Sequence, residues 1–402
     1  MRISIFTPTH DPAFLGQVYN SIKDQPFHEW IVLCNNGAKY ENADPRVRVI
    51  HDDTGSEYVG YLKWRCCQHA TGDVFLELDH DDLLMPGCIE ECQKAFQSNG
   101  TGFVYSNALH ATADLGIAQR YSESWGWKFR ANNFHGHALD EVVSFDPTPA
   151  SVGRIWFAPN HFRAFRREAY QSVGGHSKQM RVLDDLDLMC RLYLATEFKH
   201  IDKGLYVYRI HGQNSWLKSN QEIQSNVLRI HDNYIEAMAE KWSDDRGLLK
   251  LELGGRMAAR SGFTTVDLKD AEVIADLNQR WPFEDGSVGA VRSNDVFEHL
   301  NDSVHTMKEL YRVLAPGGYA FIQVPSTDGR GAFQDPTHRS FWNENSFKYY
   351  CDARLAKYID SPVRFQAMRC YTTEKNENQV CWTRAQLVKL TEGVRVPGVV
   401  NI

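Results

Sequence analysis

The sequence predicts an α/β protein made of two successive sheet-and-helix domains, the second the smaller, and three observations carry that expectation. Short apolar runs bounded by Pro, Gly, Asn or Asp alternate with stretches of helical apolar spacing. That order builds a parallel sheet with ligands beyond the carboxyl ends of its strands. The alternation occurs twice, and the two runs do not resemble each other. The 402 residues also exceed what one hydrophobic core usually fills.

In the first run, Ile3–Thr7, Trp30–Cys34, Val47–Ile50, Val74–Leu78 and Phe103–Tyr105 read as strands. Between them Phe14–Lys23, Tyr58–Ala70 and Gly87–Phe96 carry helical spacing. Residues 111–160 are rich in aromatics, Asn and Gly, with weak periodicity. A helix over Phe162–Val173, stopped by Gly174-Gly175, and another over Asp184–Leu194 follow. The polar helical stretch Gln221–Lys241 is the expected connector, so the domains fall at 1–220 and 246–402 with a linker over 221–245. Beyond it, Leu248–Leu253, Phe263–Asp267, Gly289–Val291 and Tyr319–Val324 read as strands. A helix from Ser303 to Leu314 stops at Ala315-Pro316-Gly317-Gly318.

Composition narrows the function. The hydrophobic fraction of 43% and charged fraction of 24% are those of an ordinary globular protein, which excludes disordered and fibrous classes. Lys and Arg number 44 against 51 Asp and Glu, so there is no broad attraction to phosphate backbones and duplex nucleic acid is not expected as an obligate partner. The nine cysteines lack paired zinc-type spacing and read as reduced, buried thiols. The chain enters a strand pattern at once and has no run of 18 apolar residues, so a soluble cytoplasmic protein without a membrane span is expected.

The string Phe75-Leu76-Glu77-Leu78-Asp79-His80-Asp81-Asp82 brings three carboxylates to a strand end. Carboxylates this close repel one another, and a hard divalent cation bridging to phosphate oxygens offsets that repulsion. The rival reading is a solvated turn capping the next helix.

Five motifs in order resemble the inverting glycosyltransferases of family 2, which have the GT-A fold. They are Ser4-Ile5-Phe6-Thr7-Pro8-Thr9, Leu78-Asp79-His80-Asp81-Asp82, Phe165-Arg166-Arg167-Glu168-(x5)-Gly174-Gly175, Leu183-Asp184-Asp185-Leu186-Asp187-Leu188-(x2)-Arg191 and Tyr208-Arg209-(x)-His211-(x2)-Asn214. The resemblance covers roughly residues 1–218. It implies Thr7 and Pro8 beside a nucleotide base, Asp79 on the ribose or base side, Asp81 holding Mg²⁺ or Mn²⁺ against a diphosphate, and Asp185 as the catalytic base. The adjacent acids Asp184 and Asp185 are expected to raise each other's pKa toward neutrality, with helix N-capping as the rival role.

Asn35-Asn36-Gly37 stands where the family commonly has Asp-Asp-Gly on the uracil or ribose. Asn35 is still expected on the donor, with a UDP-sugar the first choice. His80 interrupts the acids where a small residue is usual and is expected to point away from the metal. His211 reads as a metal or diphosphate contact, or as a structural histidine. Trp125, Trp127 and Trp156, with Asn160 and His161 nearby, read as an acceptor-stacking surface or as core. The acceptor is a hydroxyl on a glycan, a protein or a modified nucleobase.

The second half resembles class I methyltransferases that use S-adenosylmethionine, over roughly residues 246–350. The carriers are Leu251-Glu252-Leu253-Gly254-Gly255-Arg256, Val266-Asp267-Leu268, Ala275-Asp276-Leu277, Trp281-Pro282-Phe283-(x2)-Gly286-Ser287, Asp295-Val296-Phe297-Glu298-His299-Leu300 and Glu309-Leu310-(x)-Arg312-Val313-Leu314-(x)-Pro316-Gly317-Gly318. The resemblance implies Gly254 and Gly255 against the methionine portion, Asp267 on the ribose and Asp276 near adenine. Arg256 replaces the usual third glycine and the segment up to Val266 is short. Two roles therefore stay open, methyl transfer and a non-catalytic acceptor-binding or assembly module. Glu298-His299 reads as a proton acceptor or a helix-face pair, and His338 with Phe341-Trp342 as pocket lining or loop packing. The expected whole is a metal-dependent inverting glycosyltransferase joined to a Rossmann-like methyltransferase fold. An inactive sugar-binding scaffold is its rival.

Overall fold

Ile3, Ile5 and the run Trp30–Leu33 have no exposed surface, so the strands they form are covered on both faces and lie at the centre of a sheet. A computed structural model describes residues 1–154, 159, 161–212, 214–255 and 260–390, with the side chains of Ser124 and Ser215 left out. The chain divides into two compact units, residues 1–235 and 236–402. The division falls inside one helix, Asn220–Asp244. No helix among the described residues is long and apolar enough to cross a membrane.

The strands of unit 1 are β1 (Ile3–Thr9), β2 (Glu29–Asn35), β3 (Val47–Asp52), β4 (Val74–Glu77), β5 (Leu83–Leu84), β6 (Thr101–Thr112), β7 (Lys128–Phe134), β8 (His137–Val143), β9 (Arg163–Arg166) and β10 (Glu197–Ile210). They pair in the order β3-β2-β1-β4-β9-β6-β10-β5, with the β7–β8 hairpin attached through β8 to β6. The first four are mutually parallel, and β9 runs antiparallel to both β4 and β6. The carboxyl ends of β1, β4, β6 and β10 therefore share one edge with the amino end of β9. Strand order reverses between β1 and β4, which makes that point of the edge a topological switch.

The expected helix over Phe162–Val173 is corrected: β9 takes its first part and the helix is Arg167–Ser172. Phe162, Ala164 and Phe165 are buried, and the sheet supplies backbone partners on both sides. That pairing overrides local helical spacing. In the weakly periodic region, His135 and Gly136 both take positive φ (46° and 92°), the geometry of a two-residue hairpin turn.

Unit 2 has β11 (Leu249–Leu253), β12 (Thr264–Asp267), β13 (Val273–Ile274), β14 (Val288–Asn294), β15 (Leu314–Pro325), β16 (Phe365–Thr372) and β17 (Trp382–Lys389). Their order is β13-β12-β11-β14-β15-β17-β16, with the first five parallel and β17 antiparallel to its neighbours. The switch point lies between β11 and β14. The helix Ser303–Val313 ends as expected, but β15 starts directly at Leu314 and carries the Pro-Gly-Gly sequence. On the last turns of the long helix, Met238, Ala239, Trp242 and Ser243 are buried; a Cβ on Gly289 would lie 2.3 Å from Ser243 Oγ.

One buried carboxylate ties β1, β2 and β3 together. Glu29 accepts from Ser4 Oγ at 2.7 Å, Thr71 N at 2.5 Å and Arg48 Nη1 at 2.6 Å. Burial pushes its carboxyl up, but these donors pull harder, down to about 2. A depressed carboxyl contributes stability above its unfolded value, near 4.5, which is lost as pH falls toward 2. Glu29→Gln is expected to unfold about 2–3 kcal/mol more easily in urea at pH 7, with the gap closing between pH 4.5 and 2. A gap independent of pH contradicts this.

Candidate active site

Past Glu77 the chain turns through Leu78–Asp82 at the switch point, and strand β10 returns alongside to fix it. The Tyr206 hydroxyl donates to Asp82 Oδ2 at 2.9 Å and accepts from the Asp79 amide at 3.1 Å. The Arg209 amide donates to Asp82 Oδ1 at 2.7 Å, and Arg209 Nε donates to the Asp81 carbonyl. Asp82 is fully buried with both oxygens committed, and burial pushes its carboxyl well up. It is the anchor of the turn.

Asp81 is the acid this anchoring presents. Its Oδ2 lies 2.7 Å from His211 Nε2, a contact across 130 positions, and the two side chains keep 15% and 17% of their surface exposed. Arg209 is fully buried beneath them, over the Phe14 ring at 4.4 Å, and its Nη2 has no hydrogen-bond partner among the described residues. Burial pushes the Asp79 carboxyl up to about 6. Asp79, Asp82 and His161 also offer ligand atoms within 4.8 Å of one another. Because Asp82 is already saturated, Asp81 with His211 is the better donor pair for a divalent cation, and its carboxylate-imidazole chemistry fits one.

A second cluster lies along the same edge. Arg163, at the start of β9, donates to Asp185 Oδ2 at 2.6 Å and reaches Glu77 Oε1 at 3.4 Å. Lys63, on the helix Val59–His69, lies 2.8 Å from Glu77 and 3.5 Å from Asp184. Asp184 is 3% exposed, and burial pushes it up to about 6. For Asp185 burial also acts upward, but Arg163 and Lys63 outweigh it and the carboxyl lies below its ordinary value.

This corrects the expectation that the adjacent acids raise each other: Asp184 goes up, Asp185 goes down, and the arginine makes the difference. The capping alternative also fails, since the N-cap of the helix Asp184–Ala195 is Leu183 and the acids sit inside its first turn. Asp185 is thus an ionised carboxylate, 21% exposed, held in one orientation.

Other expectations land differently. Thr7, expected beside the base, is fully buried, and its hydroxyl donates to the Leu78 carbonyl at 2.7 Å and accepts from Trp30 Nε1 at 2.9 Å. It locks the strand ends that carry the site. Pro8 is half-buried beside it and Asn35 is buried at the end of β2. The His80 ring packs edge-on against His10 at 5.1 Å. Trp127 is core, 4.5 Å from the Phe145 ring, whereas Trp125 is exposed. Trp156 and Asn160 lie outside the described residues. The His161 ring stacks on Tyr206 and Tyr208 at 4.8 Å each, and burial pushes its pKa far down, so it is neutral.

In unit 2, Gly254 follows β11 at φ +74° and a Cβ there would lie 2.4 Å from Val296 Cγ2, so glycine is needed. Gly255 lies next to it, with an added Cβ 2.8 Å from Glu252 Cγ. Asp267 ends β12, half-buried, and its Oδ1 accepts from the Leu268 amide at 2.6 Å. Gly254 and Asp267 thus occupy the ends of adjacent strands. Asp276 is exposed and its Oδ1 accepts from Asn278 N at 2.9 Å and Nδ2 at 3.0 Å, which makes it first a turn residue. Arg256 lies outside the described residues.

Among known proteins, the chain is 24% identical over 229 residues to a chondroitin synthase of Pasteurella multocida (strain Pm70), covering 54% of this chain and 21% of that protein. It is 24% identical over 228 residues to a hyaluronan synthase of Pasteurella multocida, with the same two coverages. This chain thus spans about a fifth of the length of these curated relatives. A solved structure of S. aureus TarS residues 1–349 in complex with UDP-GlcNAc aligns with 13% identity and a TM-score of 0.41, covering 53% of this chain and 60% of that one. Residues 4–174 match the family model described as glycosyl transferase family 2, and residues 249–322 match one described as a methyltransferase domain. With the two sheets laid out as above, the chain carries a glycosyl transferase family 2 domain in unit 1 followed by a methyltransferase domain in unit 2.

Proposed function

We propose that this chain is an inverting glycosyltransferase that moves a sugar from a nucleoside diphosphate donor, a UDP-sugar first among them, to a hydroxyl on a glycan. The observation that carries the reading is the Asp81–His211 pair at 2.7 Å, presented at the switch point above the buried Arg209. Asp81 and His211 would hold Mn²⁺ or Mg²⁺. A bound divalent cation supplies positive charge against the departing diphosphate.

The chain's own residues do the rest. Asp185, kept ionised and oriented by Arg163, accepts the acceptor's hydroxyl proton as that oxygen bonds to the anomeric carbon. The bond from that carbon to the diphosphate oxygen breaks on the opposite face. The names of the curated relatives support a glycan as acceptor. The test is a panel of nucleotide sugars scored by nucleotide release with Mn²⁺ and with chelator. Release from at least one donor, lost on chelation, is expected; no release from any donor overturns the reading.

For unit 2 we propose S-adenosylmethionine binding at the Gly254–Asp267 edge, supported by the placement of those two residues. Calorimetric titration is expected to give heat in the full chain. Absence of heat at millimolar ligand leaves the unit as an acceptor-binding module. The ten residues between β11 and β12 favour that second role, because so short a crossover has little room for a full helix.

A further inference from the structure

We propose that unit 2 holds a divalent transition-metal ion through Glu298, His299 and His338, at the switch-point edge of its sheet. One ligand atom of each of these side chains lies within 4.8 Å of the other two. Two segments far apart in sequence make the group. The short 3-10 turn Phe297–His299 follows β14, and the loop bearing His338 follows β15. Their backbones are stitched together: the Arg339 and Ser340 amides donate to the Glu298 carbonyl at 2.6 and 3.0 Å, and Ser340 Oγ donates to the Phe297 carbonyl at 2.8 Å.

The independent pointer to a ligand is Glu298 itself. It is 2% exposed, and neither carboxylate oxygen has a hydrogen-bond partner among the described residues. No lysine or arginine forms an ion pair with it there, and the charged groups that act on it are two further acids, Asp295 and Asp335. A buried carboxyl without an ion-pair partner is relieved by a proton or by a cation, and the two imidazoles whose ligand atoms lie within 4.8 Å of it favour the cation.

Both imidazoles are poised in the matching tautomer. His338 Nδ1 lies 2.9 Å from the Ala332 carbonyl, which can only accept, so Nδ1 carries the proton and Nε2 the lone pair. His299 Nδ1 lies 3.1 Å from Thr337 Oγ1, whose own proton goes to Asp335 Oδ1 at 2.7 Å. His299 Nδ1 is therefore also the donor, and its Nε2 is free to ligate. A ring nitrogen anchored on a carbonyl or a carboxylate-linked hydroxyl is the outer-sphere arrangement of metal-binding histidines. Two imidazoles and one carboxylate suit zinc or a neighbouring first-row ion rather than Mg²⁺ or Ca²⁺, and leave coordination positions open for an exogenous oxygen.

Cobalt(II) is the probe, because its visible bands intensify in low-coordinate sites with nitrogen ligands. Chelator-stripped full chain is titrated with CoCl₂, followed by absorption and by metal count after dialysis. Expected are intense bands saturating at one equivalent, retained in Asp81→Ala, and an affinity at least tenfold weaker in both His299→Ala and His338→Ala. His299 is exposed, so its variant is expected to melt like the parent and a loss of cobalt there does not reflect unfolding. Absence of bands, an unchanged titration in His299→Ala, or abolition of the bands by Asp81→Ala alone overturns the proposal.

Discussion

Asp185→Asn is expected to lower kcat for sugar transfer by roughly 10²–10⁴, the range for losing a positioned general base, while KM for the donor moves less than about threefold. The substitution keeps the shape of the side chain and an oxygen to accept from Arg163, 2.6 Å away, so the loop and helix that frame the site stay in place. It removes only the negative charge that takes up the proton. Steady-state kinetics on a donor selected from the panel, alongside a melting curve, separates the outcomes. Unchanged kcat in a folded variant removes Asp185 from the mechanism, and a parallel loss of donor binding assigns it to the ground state instead.

Lys63→Met is expected to destabilise unit 1 by about 3–5 kcal/mol, the cost of leaving a buried charge without its partner. Lys63 is 6% exposed and sits between Glu77 at 2.8 Å and Asp184 at 3.5 Å. Without it, Arg163 alone faces three buried or half-buried carboxylates. Methionine fills a similar volume, so the loss reports charge rather than packing. Adding Glu77→Gln to Lys63→Met is expected to recover part of the loss in chemical denaturation. A single-variant effect below about 1 kcal/mol contradicts the view that this ion network organises the edge.

Much of the edge is legible in sequence, for a physical reason. Strand ends and acidic turns are local: the apolar run into Glu77 and the acids after it are contiguous, so Asp79, Asp81 and Asp82 announce themselves. The pairing of Asp81 with His211 is not local, and only the order of motifs suggested it. Arg163 was hidden because buried strand residues with partners on both sides lose the period-2 signal, and Phe162–Val173 then reads as helix. Lys63 was hidden differently, as a cation on a helix, where such a side chain ordinarily faces water.

Thr7 shows the converse, a motif residue whose hydroxyl is spent holding two strand ends together. Glu298 and His299 looked like neighbours on a helix face. Their partner His338, about forty positions on, reaches them only because β14 and β15 are adjacent in the sheet.

The account rests on the acids after β4 gripping a cation against a diphosphate, and nucleotide affinity measured with and without that cation tests it most directly. UDP is titrated calorimetrically into the full chain in Mn²⁺ and in EDTA, and into Asp81→Ala in Mn²⁺. The account predicts that chelation weakens UDP binding at least tenfold and that Asp81→Ala in Mn²⁺ binds no better than the parent in EDTA. Equal affinity in all three titrations contradicts it.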